Sequence, residues 1–433
     1  MMKKDVLKFL LRDFHTLSLP DLTTRDISVP LGTGKIVTLI GSRRSGKTWL
    51  LYQLASELYR DGVPKENVCF LNFEDERLDL EAQELDLLLQ AYQELYPGID
   101  LAQCYFLFDE IQNIPGWERF VRRIHERICP NIVVTGSNAR LLSTEIATAL
   151  RGRAITRTVY PFSFREVLKY RNIPLDLHAS SNRTKIEATL DAYLEQGGFP
   201  ETLAMRDRYL REETLQSYFE VMLLRDLVDR YRFTNITALR YFLKRLAASA
   251  TKQISVHGVY SELKSAGIRI GKNALYDFLQ GAEDIFFAKT LPRYSSKVMT
   301  RELGEKKIFI IDNGLLNAIR FRFSEDRGKA MEQVVYWQLM RNKKKGSSIS
   351  FFKNGYECDF IMNGEEMPAA MQVCYSLEDP KIRQREIKGL VQTCRSLGIH
   401  EGQIITRNDN DRISLDGVLI RVLPLAEYLL QLS

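Results

Sequence analysis

Along the amino-terminal part of the chain, short apolar runs alternate with segments whose apolar residues recur at helical spacing. Three of these runs predict buried strands: residues 36–40, 104–108 and 131–138. The segment after the first run carries its apolar residues on one face of a helix: Leu50, Leu51, Leu54 and Leu58. Buried strands that alternate with helices predict an α/β fold whose parallel strands end at one common edge.

A glycine-bounded loop joins the first predicted strand to this helix. It reads Gly41, Ser42, Arg43, Arg44, Ser45, Gly46, Lys47, Thr48. Strand, loop and helix in this order are typical of a phosphate-binding loop, in which backbone N–H groups and the helix amino terminus surround the phosphates. We expect Lys47 to reach the β- and γ-phosphates of ATP and the Thr48 hydroxyl to ligate Mg²⁺. Arg43 and Arg44 either contact phosphate or face a partner, and the sequence pattern does not distinguish these two roles.

The second predicted strand ends in two adjacent carboxylates, Asp109 and Glu110. An acidic pair in this place is the Walker B arrangement, in which the first carboxylate holds the Mg²⁺ shell and the second orients the attacking water. Because both motifs fall at the carboxyl ends of strands, we expect them to lie close together. The sequence therefore predicts ATP binding and hydrolysis.

Polar residues also follow the third predicted strand. Ser137 and Asn138 are candidates to contact the γ-phosphate or the water, the alternative being residues that only form a turn. Further on, Arg153, and after it Arg151, are candidates for a cation that a neighbouring subunit supplies to the transition state. The alternative is that both are ordinary surface arginines.

Composition changes this picture little. A chain of 433 residues with 45% hydrophobic residues predicts about two to four globular domains. A formal net charge of +6 permits a local patch that binds nucleic acid without arguing for one. The six cysteines are scattered, which favours reduced thiols in a cytoplasmic protein and no structural metal. We expect no membrane span and an amphipathic helix over the first 13 residues rather than a signal peptide.

Short motifs along essentially the whole chain resemble those of a family of prokaryotic AAA+-like P-loop ATPases. They lie at residues 41–48, 72–78, 109–117, 135–139, 150–153, 161–166, 197–201 and 311–315. The resemblance implies an AAA+ core followed by helices, a winged helix and a terminal α/β domain. We place the ATPase core at 1–158, a helical lid at 159–235, the winged helix at 236–303 and the terminal domain at 304–433.

The resemblance also implies roles for residues beyond the core. Pro200, in the lid, is a candidate to pack on the adenine, the alternative being a turn that ends a helix. Residues 259–267 and 272–279 read as the two helices of a helix-turn-helix, followed by a strand at 285–291. In such a motif the second helix can enter a major groove of DNA, and Lys272, Asn273 and Tyr276 face outward from it. Winged helices also serve as protein-interaction modules, so contact with protein is the alternative.

The terminal domain resembles the restriction-endonuclease-like core but departs from its catalytic pattern. Asp359 and an upstream Glu332 are present, whereas Gln372 and Cys374 stand where such nucleases carry Glu-x-Lys. A neutral amide ligates Mg²⁺ poorly and a thiol cannot replace an ammonium, so the pattern predicts a domain that does not cut DNA.

These observations favour a Mg²⁺-dependent, oligomeric ATPase that acts on DNA as a motor or remodeller. The alternative is a regulatory or signalling switch whose ATP cycle changes protein partners without touching nucleic acid.

Overall fold

The computed structural model describes residues 3–138, 150, 152–320, 326–364 and 368–431. The chain divides into two compact units, Met1–Tyr160 and Pro161–Ser433, each of which is described by itself.

The first unit is built on a parallel sheet of five strands in the order β2-β3-β4-β1-β5. The strands are β1 (Ile36–Ile40), β2 (Val68–Asn72), β3 (Tyr105–Asp109), β4 (Ile132–Gly136) and β5 (Ala154–Thr158). The helices are α1 (Lys3–Thr16), α2 (Lys47–Arg60), α3 (Asp86–Leu95) and α4 (Trp117–Arg127). The three strands expected from the apolar runs are confirmed.

The apolar pattern explains how this sheet is covered. Because parallel strands bury both faces, β1 and β4 are apolar along nearly their whole length. One face packs on the apolar stripe of α2, where Leu50 and Leu54 join the core with Val37 and Leu39. The amino-terminal helix is amphipathic, as expected, and its Phe14 ring stacks on Phe70 with centroids 4.6 Å apart.

The second unit begins with helices. They are α5 (Phe164–Tyr170), α6 (Ser180–Gln196), α7 (Pro200–Leu203), α8 (Arg208–Val221), a π-helix (Met222–Asp229) and α9 (Ile236–Ala248). The next elements are β6 (Gln253–Ile254), α10 (Val256–Ser265), α11 (Lys272–Asp284), β7 (Ala288–Pro292), α12 (Val298–Leu303) and β8 (Lys306–Ile310). The three strands form an antiparallel sheet in the order β6-β8-β7.

Helices α10 and α11 occupy the two helical segments expected from the sequence. Leu275 and Phe278 on α11 are buried, whereas Lys272, Asn273 and Tyr276 are exposed. The outward position of these three side chains is therefore confirmed. The Lys272 ammonium lies 5.4 Å from the centre of the Tyr260 ring.

A mixed six-stranded sheet completes the second unit, in the order β13-β14-β12-β11-β10-β9. Its strands are β9 (Ser348–Lys353), β10 (Glu357–Asn363), β11 (Ala369–Val373), β12 (Glu401–Thr406), β13 (Asp411–Leu415) and β14 (Val418–Pro424). The remaining helices are α13 (Asn313–Ile319), α14 (Arg327–Asn342), α15 (Pro380–Leu397) and α16 (Leu425–Leu430).

Two motifs singled out in the sequence pack against each other in this unit. Gly197 ends α6 in a left-handed conformation (φ +74°), and a Cβ there would lie 2.0 Å from a carboxylate oxygen of Asp312. The backbone N–H of Gly198 donates to Asp312 at 2.6 Å, and the same carboxylate caps α13 by accepting from Leu315 N–H at 3.0 Å. Gly197 is thus required by a close approach to a buried carboxylate, and Gly198 by one to the carbonyl oxygen of Phe162, which a Cβ would approach to 2.2 Å.

Candidate functional site

The loop between β1 and α2 has the backbone that a phosphate-binding loop needs. Gly46 caps α2 in a left-handed conformation (φ +94°), which glycine adopts without strain. Gly41 is required for a different reason, since a Cβ there would lie 2.1 Å from the carbonyl oxygen of Val159. Arg44 is left-handed although it is not glycine (φ +63°).

The Lys47 side chain is buried beneath this loop. Its ammonium donates to the carbonyl oxygens of Gly41 at 3.2 Å and Ser42 at 3.1 Å, and lies 3.2 Å from Glu110 Oε1. The other oxygen of that carboxylate, Oε2, accepts from the Gln112 amide at 2.5 Å. Lys47 and Glu110 are therefore brought together although 62 positions in the sequence separate them.

Two hydroxyl groups hold Asp109, one from helix α2 and one from the neighbouring strand β4. Its Oδ2 accepts from Thr48 Oγ1 at 2.7 Å, and its Oδ1 accepts from Thr135 Oγ1 at 2.5 Å. The Thr135 hydroxyl also accepts from the backbone N–H of Glu110 at 2.9 Å. The two predicted Mg²⁺ ligands, Thr48 and Asp109, are thus in direct contact.

The two adjacent carboxylates have pKa values shifted in opposite directions. Burial, together with the neighbouring Glu110 charge, raises the pKa of Asp109 to about 6. Burial opposes ionisation of Glu110 as well, but the Lys47 ammonium and the Gln112 amide outweigh it and lower the Glu110 pKa. Glu110 is consequently ionised at neutral pH, the state that a proton acceptor needs.

Strand β4 lies between β1 and β3, so its end is at the same edge as the loop and the acidic pair. Ser137 and Asn138 follow it and are buried. Among the described residues, the hydroxyls of Ser42, Ser45 and Ser137 have no hydrogen-bond partner. Buried hydroxyls of this kind fit the oxygens of a phosphate.

Sequence reasoning missed Thr135 and Arg25. Thr135 is a buried residue of the apolar strand β4. It reaches Asp109 only because β4 lies next to β3 in the sheet. The guanidinium of Arg25 donates to Ser45 O at 2.8 Å and to Tyr160 O at 2.6 Å, so it fixes the outside of the loop. No local pattern around either residue signals this. Within the loop, Arg43 pairs with Glu74 at 2.9 Å.

Arg153 lies far from this site within its own chain. It precedes β5, whose first residue Ala154 pairs with Ile36 at the start of β1, whereas the loop follows the end of β1. At the rise of a strand, this separation is roughly 15 Å. Arg153 pairs instead with Glu126 of α4 at 3.0 Å. Arg151 lies outside the described residues.

Pro200 belongs to the second unit, where it is the first residue of α7 after the helix-ending Gly197. Proline suits this position because the N–H it lacks has no intrahelical partner there. Its predicted contact with adenine stays a prediction.

A second cluster of charges, buried except for Glu357, lies in the second unit. The Lys307 ammonium, on β8, lies 2.9 Å from Asp359 Oδ1, 3.1 Å from Glu332 Oε1 and 2.9 Å from Glu357 Oε1. Burial, together with the nearby Asp359, raises the pKa of Glu332 to about 8. Burial opposes the charge of Lys307, but the three carboxylates outweigh it and raise its pKa.

This cluster adds a lysine that the sequence pattern did not reveal. Gln372 accepts from the backbone N–H of Asp359 at 3.1 Å and donates to Glu386 at 2.6 Å, so its amide is already engaged. The thiol of Cys374 is buried, and burial raises its pKa to about 12. The ammonium near Asp359 comes from Lys307 on another strand.

The cysteines and helices add two observations. All six cysteines lie in the described part of the chain, where each is buried and outside any disulfide. Within the described residues, no helix combines the length and the apolar character needed to cross a membrane.

The fold and the site define a P-loop protein of the AAA type. Residues 33–168 match the family model of an AAA domain, and residues 187–326 match a domain of unknown function, DUF8612. The chain is 31% identical to the uncharacterised protein MJ1544 of Methanocaldococcus jannaschii, across 92% of this chain and 89% of that protein. It therefore belongs to the same family. An uncharacterised protein of Haemophilus influenzae is 28% identical across 92% of this chain and 95% of its own length.

Two solved structures are similar at a low level. Cdc6p from Pyrobaculum aerophilum is 13% identical, with a TM-score of 0.26 over 77% of this chain and 93% of that one. The Aeropyrum pernix ORC1 protein in complex with DNA is 11% identical, with a TM-score of 0.27 over 73% and 91%.

Proposed function

We propose that this protein is a Mg²⁺-dependent ATPase that works as a homo-oligomer acting on DNA. The observation that carries the ATPase proposal is the network that joins Lys47, Thr48, Asp109, Glu110 and Thr135 at one edge of the sheet. A lysine, a hydroxyl and two carboxylates are the groups that phosphoryl transfer to water requires.

Each residue has a distinct role in this proposal. Lys47 and the loop N–H groups bind the β- and γ-phosphates, and Thr48 with Asp109 would hold the metal ion. Bound Mg²⁺ supplies positive charge that offsets the negative charge of the phosphates. Glu110 orients a water for attack on the γ-phosphorus and takes its proton at Oε1, while Gln112 holds Oε2. The bond between the γ-phosphorus and the bridging oxygen breaks, which releases ADP and phosphate.

The proposal of DNA as partner rests on the exposed face of α11. Lys272, Asn273 and Tyr276 present a cation, an amide and an aromatic ring together on this face. A lysine contacts DNA phosphates, an amide hydrogen-bonds base edges and an aromatic ring stacks on bases.

The rate of ATP hydrolysis with and without DNA tests this partner. We expect DNA to stimulate hydrolysis, and Lys272→Ala to weaken the stimulation in a salt-dependent way. Lys264→Ala, at an exposed lysine of the neighbouring α10, is the matched control. If no DNA changes the rate, the regulatory switch that acts on protein partners becomes the better account.

The proposal of an oligomer rests on Arg153. Because it lies at the opposite edge of the sheet from its own loop, it can serve an ATP site only in a neighbouring subunit. Arg153→Ala subunits mixed with Lys47→Ala subunits should regain part of the activity that each lacks alone. A monomer that remains fully active at every concentration contradicts the proposal.

A further inference from the structure

A cavity of about 710 Å³ lies within the second unit, remote in the chain from the phosphate-binding loop. Its walls come from α6, α9, α13 and α14 and from the segment around Thr251. Pockets for small ligands in proteins measure about 300–1,000 Å³, so this cavity has the size for a nucleotide. It is too small to admit a DNA duplex.

Three acidic side chains and four basic ones line this cavity, the basic ones being Lys244, Arg320, Arg327 and Lys329. The lining carboxylates are already engaged, since Asp191 pairs with Arg407 at 3.0 Å, Glu195 lies 3.8 Å from Arg208, and Asp326 pairs with Lys329.

Once Lys329 is paired with Asp326, the positive charges left in the lining are those of Lys244, Arg320 and Arg327. Within the described part of the chain, Lys244 has no ion pair or hydrogen bond through its ammonium. The cavity therefore has an excess of positive potential, which an anion would offset.

Two buried polar atoms in the lining also lack partners. Thr251 is 5% exposed and Asn313 is 4% exposed. Neither Thr251 Oγ1 nor Asn313 Oδ1 has a hydrogen-bond partner among the described residues. The Asn313 amide nitrogen donates to two carbonyls, those of Leu194 and Ala330, each at 3.0 Å, which fixes the side chain. Buried polar groups without partners are rare in folded proteins and often mark the place of a bound group.

Thr251 is also strained. Its φ is +62°, a left-handed conformation that is unusual for a β-branched residue. Its backbone N–H donates to Ile308 O at 2.7 Å, which holds the residue in this conformation. Strain of this kind concentrates at ligand-binding positions, where the surrounding structure maintains it.

We propose that this cavity binds a phosphate-bearing ligand of nucleotide size, separately from the ATP of the phosphate-binding loop. Lys244 and Arg320 attract the phosphate, and the Thr251 hydroxyl donates to one of its oxygens. Asn313 Oδ1 accepts from a hydroxyl or amino group of the ligand. Tyr375 and the Arg327 guanidinium that lies 5.9 Å from its ring offer flat surfaces for a base. The phosphate belongs either to a free nucleotide or to the end of a nucleic-acid strand.

Calorimetric titration of the full-length Lys47→Ala protein tests this proposal, because that substitution removes phosphate binding at the loop. The probes are inorganic pyrophosphate, ATP, and a short single-stranded oligonucleotide with and without a 5′-phosphate. We expect saturable binding that Lys244→Ala and Arg320→Ala each weaken roughly tenfold or more. Lys388→Ala, at an exposed lysine of α15 outside the cavity, should leave affinity unchanged.

Substitutions of Thr251 separate binding from folding. Thr251→Gly relieves the left-handed strain, so thermal stability should not fall, yet binding should weaken several-fold because the hydroxyl is lost. Thr251→Ser keeps the hydroxyl and should bind normally. Binding of the 5′-phosphorylated oligonucleotide alone would identify a strand end as the source of the phosphate. Absence of saturable binding with every probe, or binding that the cavity substitutions leave unchanged, overturns the proposal whatever the ATPase activity.

Discussion

The hydroxyl of Thr135 connects the two carboxylates of the candidate site. It donates to Asp109 and accepts from the backbone N–H of Glu110, so it fixes the direction of both. We predict that Thr135→Val, which keeps the shape but removes the hydroxyl, lowers kcat for ATP hydrolysis roughly 10- to 100-fold while ATP affinity changes little. Steady-state kinetics and a binding titration measure the two quantities. Thr135→Ser should retain activity, and a fully active valine variant would show that the hydroxyl does not matter.

Asp312 gives the second unit a predictable response to pH. Burial raises its pKa to about 6, against the opposing N–H groups of Gly198, Leu315 and Gly314. Because the folded protein holds this proton more tightly than the unfolded chain does, the stabilisation is complete below about pH 4 and is lost as the pH rises through about 6. Relative to Asp312→Asn, the free energy of unfolding of the wild type should fall by about 3 kcal/mol across this range.

Denaturant unfolding of both proteins at several pH values checks this prediction. Asp176→Asn, at an exposed aspartate of the same unit, is the matched control and should follow the wild type. A difference between the wild type and Asp312→Asn that stays constant from pH 4 to pH 6.5 contradicts the assignment.

Strand β8 contributes a buried cation to carboxylates on α14 and β10. Lys307 is the ammonium in contact with Glu332 and Asp359, so its removal leaves buried charge without a partner. Such losses cost about 3–5 kcal/mol, and we predict a destabilisation of this size for Lys307→Met. Thermal and denaturant unfolding measure it. Lys306→Met, at the half-buried neighbour on the same strand, should cost much less; equal effects would show that the cluster adds no stability.

The strands around this cluster also bear on nuclease activity. The Gln372 amide is engaged by Asp359 and Glu386, and the Lys307 ammonium occupies the carboxylates of Asp359 and Glu332 that would otherwise bind a metal ion. We therefore predict that the purified protein does not cut supercoiled, linear or branched DNA in Mg²⁺ or Mn²⁺. Agarose gels decide this. Cleavage that disappears in Asp359→Ala would establish a working nuclease and overturn the prediction.

Elements with a strong local pattern could be predicted from the sequence. The loop at residues 41–48 and the pair Asp109-Glu110 were found because strand, loop and helix follow one another in the chain. Thr135 and Lys307 were not found, because their contacts depend on which strands pair, and strand order brings together residues far apart in sequence. Gly41 lies in the loop predicted to surround the phosphates, and the structure adds a second reason for glycine there, its close approach to the carbonyl oxygen of Val159.

At the scale of the whole molecule, a P-loop unit and a larger second unit share one chain. The first carries the groups for ATP hydrolysis, and the second carries the exposed face of α11 and the basic cavity beside Thr251. An ATPase whose second unit binds a phosphate-bearing ligand would respond to that ligand as well as to ATP. The proposals on DNA and on the cavity can fail independently, because they rest on different residues.

The central claim is that Lys47 and Glu110 have separable roles in binding and hydrolysing ATP. The most direct measurement compares ATP binding and single-turnover hydrolysis in Lys47→Ala, in Glu110→Gln and in Glu66→Gln, an exposed glutamate of the same unit that serves as control. We predict that Lys47→Ala loses ATP binding and that Glu110→Gln binds ATP but hydrolyses it at least about 100-fold more slowly. Near-normal hydrolysis by Glu110→Gln would contradict the account.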